Sequence, residues 1–243
     1  MPFIHYENSF PTKDKRMAAA ARVHKDLALR THDCVREPKD EEQRAHVRMP
    51  ECRAASLAEE YRAAVRAGVH SGALVISDVP YPWAAALTLA EAGPNALVLH
   101  SLRDPLEWAR SRTKHHSRTE VMCRGGDERD PFDLVGCLER AGDGYARDAL
   151  VPFVEILHSL GKEEGLRRIA AAYSAHEAAV AALVPPERMR QICVFDHGGF
   201  EQGMAGVADV AAGRCSTERS ADAATLLVAA HDTFTPPSTV PRT

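Results

Sequence analysis

"VLHSLRDPLEWARSR", residues 98–112, is the stretch on which the reading of the fold turns. It starts as an apolar run, meets Arg103 and Asp104, and then changes to helical spacing from Pro105 onward. The change has a chemical cause. An aspartate can cap open backbone N–H groups, proline suits the first helical position, and Glu107, three residues after Asp104, completes a capping box. The stretch therefore predicts a strand that ends at an arginine and passes directly into a helix over 105–116.

Working outward, two more short apolar runs bounded by turn residues read as buried strands, "GALVIS" (72–77) and "QICVFD" (191–196), and the strand before Arg103 extends back to 96. "FIHYENSF" at the start is a weaker strand candidate. Alanine-rich segments with helical patterning fill the intervals at 16–29, 54–67, 83–92, 144–160 and 163–183. Strands alternating with helices predict an α/β fold in three layers, with a mostly parallel central sheet flanked by helices. We expect one such domain over 1–232, followed by a tail at 233–243 with the composition of disorder. Residues 33–53, dense in both charge signs, read as a solvated helix or loop, and 117–133, with Gly-Gly and Asp-Pro breakers, as a loop.

The chain has 243 residues and a formal net charge of −4, which gives no footing for nucleic acid or an anionic membrane. No apolar run approaches the roughly 18–20 residues that span a bilayer. The opening residues lack the apolar core of a signal peptide. Six scattered cysteines without a C-x-x-C pair argue against a zinc ribbon and a thioredoxin-like site, and read most simply as free thiols in a reducing compartment. The expectation is a cytoplasmic protein that acts on a small molecule, of undefined oligomeric state.

In α/β sheets, ligands bind beyond the carboxyl ends of the strands, so the residues just after each strand carry the chemistry. Arg103 supplies a planar cationic fork suited to phosphate oxygens, next to a helix N-terminus, and Ser111, Arg112 and Lys114 add a hydroxyl and two charges. "VISDVPYP" places Asp78 directly after another strand, where a carboxylate serves either as a general base or as a turn former. Trp83 follows, to line a pocket or to pack. Tyr173 and His176, one helical turn apart, read as core packing plus a surface hydrogen bond. The adjacent His115 and His116 point about 100° apart on a helix and make a poor metal site. No metal is expected.

These strand ends resemble the sulfotransferase family, which moves a sulfuryl group from 3′-phosphoadenosine 5′-phosphosulfate to a hydroxyl or amine. Arg103, Asp104, Pro105 and Ser111 match in type and spacing the family's R-[ND]-P-x-x-x-x-x-S element, whose arginine and serine hold the donor's 3′-phosphate. Asp78 falls where many members carry the histidine base of a T-H-L-P motif. "PPERMRQICVFDHGGFEQ" (185–202) resembles a later family pattern of Pro-Glu-Arg, strand and Gly-aromatic-Glu. The similarity covers roughly 70–205.

The family's phosphosulfate loop, P-K-x-G-T-x-x-L, is altered. Here the chain reads "SFPTKDKRMAAAARVH" (9–24), with Pro11 kept but the glycine and the Ser/Thr pair missing. Glycine lets the backbone approach oxyanions, so its loss leaves cradling to side chains. What the resemblance implies is that Lys13 or Lys15, with Arg16 and Thr12, stabilises charge on the 5′-phosphosulfate, while Asp78 takes or orients the acceptor proton. The alternative is a non-catalytic relative on the same fold that binds a nucleotide or a protein partner.

Overall fold

The computed structural model describes residues 3–4, 15–36, 38–71, 75–76, 82–94, 98–125 and 129–193. The expectations at Thr12, Lys13, Asp78 and the 233–243 tail fall outside the described residues. In chain order the elements are β1 (Phe3–Ile4), α1 (Lys15–Val35), α2 (Glu41–Val47), α3 (Ala54–His70), β2 (Val75–Ile76), α4 (Ala85–Ala92), β3 (Val98–Leu102) and α5 (Pro105–His116). They continue with β4 (Val121–Cys123), α6 (Leu134–Ala141), α7 (Ala146–Ala149), β5 (Leu150–Pro152), α8 (Phe153–Leu160), α9 (Lys162–Leu183) and β6 (Met189–Cys193). Strands and helices do alternate, and the class is α/β. Among the described residues, however, the strands pair two by two. β1 runs parallel to β2 and β3 parallel to β6, while β4 and β5 are antiparallel, so each sheet among the described residues has two strands.

Two compact units divide the chain, the first taking residues up to Glu91 and Pro105–Val180, the second Ala92–Asp104 and the chain from Ala181. The first contains most of the helices. On α1, Ala20, Leu27, Cys34 and Val35 are buried, and on α3 the stripe Leu57, Tyr61, Val65 recurs every fourth residue, the spacing that keeps side chains on one helical face. These faces meet Leu134 and Leu138 of α6 and Leu150 of β5 in one apolar cluster. Fully burying one such leucine contributes about 1.5–3 kcal/mol. The ion pairs Arg30–Glu60 and Arg62–Glu139 sit at the partly exposed edges of the helices, where each is worth about 1 kcal/mol or less.

Helix ends are satisfied by specific partners. The N–H groups of Ala54 and Ala55, which open α3, donate to the carbonyls of Gly144 and Gly142 at 2.7 and 3.1 Å. Asp133 caps α6 by accepting from the Gly136 N–H at 3.0 Å. Gly165 has a different task. A Cβ there would lie 3.0 Å from the Leu157 Cα, so an alanine would push α8 and α9 apart by a few tenths of an ångström.

The second unit pairs β3 with β6 over five residues, Val98 opposite Met189 through Leu102 opposite Cys193. The guanidinium of Arg188, in the turn before β6, donates to the carbonyl of Gly93 at 2.8 Å. Gly93 follows α4 with φ of 78°, in the left-handed region that ends a helix at low cost only for glycine.

Three sequence expectations are corrected. The helix expected over 144–160 is interrupted by β5, because Pro152 lacks the N–H that a helix interior needs. The loop expected over 117–133 contains β4, a three-residue strand that β5 pairs from far along the chain. Four of the six thiols are not free. Cys34 is bonded to Cys52 and Cys123 to Cys137, with Cα atoms 5.2 and 5.9 Å apart. The first bridge closes the charged 33–53 segment, and both its cysteines are completely buried.

Candidate functional site

The element quoted at the outset folds as its sequence predicts. β3 ends at Leu102, Arg103 and Asp104 form the link, and α5 starts at Pro105. Ser111 is the seventh residue of α5, about 9 Å along the axis at 1.5 Å per residue. Arg103 and Ser111 are both half-buried, whereas Asp104 and Glu107 are exposed. Ala109, fully buried, anchors α5 in the first unit, and the Thr113 hydroxyl donates to its carbonyl at 2.7 Å. The link itself is the point where the chain leaves the second unit for the first.

Not all the expected cations serve one purpose. The Arg112 guanidinium lies 3.5 Å from Oε1 of Glu120, a carboxylate only 5% exposed, so its charge balances a buried acid. Lys114 is exposed. Lys15 and Arg16 are exposed in the first turn of α1, which carries no acidic residue.

The structure brings together a group that no local pattern in the sequence marks. His176 on α9 reaches Asp130, 46 residues earlier, with Nδ1 2.9 Å from Oδ1. The same carboxylate oxygen accepts from the Phe132 N–H at 3.3 Å. Aromatic rings surround the pair. Phe132 stands edge-on to His176 with centroids 5.5 Å apart and stacks with Trp83 at 6.4 Å. Trp108, one turn before Ser111 on α5, stacks on Tyr173 at 4.4 Å and meets Phe132 edge-on at 5.9 Å. Tyr173 thus packs and His176 hydrogen-bonds, as their one-turn spacing leads one to expect, and Trp83 packs on Phe132. The only advance signals for Asp130 were its place beside Pro131 and a charge in an otherwise loop-like stretch.

The other core cluster of the first unit holds a second buried polar group. Complete burial pushes the Tyr61 hydroxyl up to about 12, with the charge of Glu120 adding to the rise and the Thr31 hydroxyl opposing it. Among the described residues no three His, Cys, Asp or Glu side chains converge as metal ligands. Nor is any helix among them long and apolar enough to cross a membrane.

A family model described as a sulfotransferase domain matches residues 19–202, more than half of the chain. The match takes in both compact units, β3, the Arg103–Ser111 element and β6, and begins after the 10–17 stretch. No curated protein and no solved structure matches the chain significantly.

Proposed function

The chain belongs to the sulfotransferase-domain family, and from that premise we propose that it transfers a sulfuryl group from 3′-phosphoadenosine 5′-phosphosulfate to a hydroxyl or amine of a small-molecule acceptor. The observation that carries this reading is the strand, Arg103–Asp104 link and helix with Ser111, which keep the order and spacing that a 3′-phosphate grip requires. Arg103 donates a pair of charge-assisted hydrogen bonds to the phosphate and Ser111 one more. Lys15 and Arg16, with Lys13 and Thr12 before them, neutralise the charge that grows on the 5′-phosphate as the S–O bond breaks. Asp78 orients the acceptor. The three-layer arrangement with a mostly parallel sheet, formed as one domain, is part of the same proposal, supported by the two parallel strand pairs.

The cytoplasmic placement rested in part on free thiols, and it loses that support with two disulfides in the first unit. Such bonds persist in oxidising compartments, which the bridges therefore favour.

Calorimetric titration with 3′-phosphoadenosine 5′-phosphate tests the donor site. Binding is expected, and Arg103→Ala should weaken it about 10- to 100-fold, the worth of hydrogen bonds to a charged group. No binding by the native chain at millimolar ligand refutes the reading. One observation favours a second possibility, a nucleotide-binding relative without catalysis: the family match begins beyond the stretch that lacks the loop glycine. Nucleotide binding without any sulfuryl transfer would support that alternative.

A further inference from the structure

A cleft lies where the end of α1 meets α2, inside the first unit. Its volume of about 130 Å³ holds about four waters at ~30 Å³ each, well below the roughly 300 Å³ at which pockets for drug-sized ligands begin. Val47, which is buried, and Pro38 give it an apolar part, and Asp33, Arg36, Gln43 and His46 give it a polar one. Asp33 and His46 are exposed, so a small solute can enter from solvent. The Cys34–Cys52 bridge ties the two walls together. Cys34 stands between Asp33 and Arg36 in the chain, and Cys52 follows Val47 by five residues.

The polar groups divide into donors and one acceptor. A backbone N–H can only donate, and that of Lys39 donates to Oε1 of Gln43 at 2.8 Å. The contact fixes which end of the amide is which, so what Gln43 can offer the cleft is its NH2 group. Arg36, half-buried, makes no ion pair among the described residues, and its planar fork of N–H donors is open to a ligand. His46 adds a ring N–H. Asp33 is the acid of the lining, with its carboxylate 3.5 Å from Nδ1 of His32. A carboxylate beside an anion repels it unless the anion brings a proton to share. Inorganic phosphate does so at neutral pH, where it keeps at least one P–O–H. Sulfate keeps none, and a phosphomonoester has for the most part lost its own. Acetate has neither the proton nor a third oxygen.

We propose that this cleft binds inorganic hydrogen phosphate, with Arg36, Gln43 and His46 donating to its oxygens and Asp33 accepting from its P–O–H. The site goes beyond the sulfuryl-transfer reading and stands without it. Three donors and one acceptor match the three bare oxygens and single hydroxyl of the ion, and the carboxylate selects it over sulfate. The Cys34–Cys52 bridge holds the walls in place before the ion arrives, so less ordering has to accompany binding.

The test is calorimetric titration of the oxidised full chain with sodium phosphate at pH 7 and fixed ionic strength. A Kd of about 1 mM is expected, with sulfate, acetate and phenyl phosphate each bound at least about 10-fold more weakly. That comparison is made on the native chain and needs no variant. Arg36→Met should weaken phosphate binding about 10- to 100-fold. Gln43→Glu still accepts from the Lys39 N–H but has no donor, and should abolish binding. Asp33→Asn should erase the preference for phosphate over sulfate, because an amide can donate to either ion. Cys34→Ala with Cys52→Ala should cost about 10-fold in affinity, whereas Cys123→Ala with Cys137→Ala should cost nothing. Arg103→Ala should also leave the affinity as it is, which separates this site from the 3′-phosphate grip. No heat of binding up to about 20 mM phosphate, some 20 times the expected Kd, overturns the proposal. So does sulfate bound as tightly as phosphate by the native chain, or an affinity that neither Arg36→Met nor Gln43→Glu moves. An unchanged affinity without the Cys34–Cys52 bridge overturns the bracing of the cleft.

Discussion

Replacing Cys34 and Cys52 together by alanine isolates the contribution of the bridge that joins the end of α1 to the turn before α3. The two positions are 18 residues apart, and both side chains are fully buried. Loop closure over that separation removes about 11 cal/mol/K from the unfolded chain, or about 3 kcal/mol at 25 °C. Alanine leaves no buried hydroxyl behind, so the added cost is the loss of sulfur packing in a cluster that also holds Leu57 and Val35, on the order of 1 kcal/mol. For a chain of this size each kcal/mol moves the midpoint by about 2–4 °C, so the double variant should melt about 8–16 °C lower. The second bridge spans 14 residues, and the same relation puts it within about 0.2 kcal/mol of the first. Calorimetric melts of the native chain, with and without reductant, and of the two double-alanine variants give the comparison. Peptide mapping of the oxidised chain should recover Cys34 linked to Cys52 and Cys123 linked to Cys137. Melts that ignore both reductant and substitution would sink the reasoning, and so would unlinked peptides from protein folded under oxidising conditions.

Tyr61 makes a pH prediction. Its hydroxyl titrates near 12 when folded and near 10 when unfolded, so burial stabilises fully below pH 10, and that stability is lost as the pH rises from 10 to 12, by about 1.4 kcal/mol per unit. Urea unfolding across this window should fall less steeply for Tyr61→Phe than for the native chain, and identical slopes would place the hydroxyl in water. Arg112→Ala removes one charge partner of a buried carboxylate and should destabilise the fold by about 1 kcal/mol, discounted because the arginine is one-third exposed, at unchanged nucleotide affinity. A loss of affinity matching that of Arg103→Ala would return Arg112 to the phosphate site.

What could be read from the sequence was what neighbours in the chain determine. The start of α5 at Pro105 follows from three residues within one turn, Asp104, Pro105 and Glu107, and the 3.6-residue repeat reveals α1, α3 and α9 because one face of each must be apolar. β4 and β5 escaped because strands of three residues carry no period, and each is a strand only through a partner some thirty residues away (Val121 opposite Pro152). The disulfides escaped for the same reason. Cys34 and Cys52 face each other only after α1 has turned back through α2, and six scattered cysteines allow fifteen complete pairings. The candidate site divides along this line. Arg103 and Ser111 lie on one continuous strand-to-helix element, so their spacing is itself the signal. His176 and Asp130 gain their meaning from a 2.9 Å contact across 46 residues, made when α9 packs against the segment leading to Phe132.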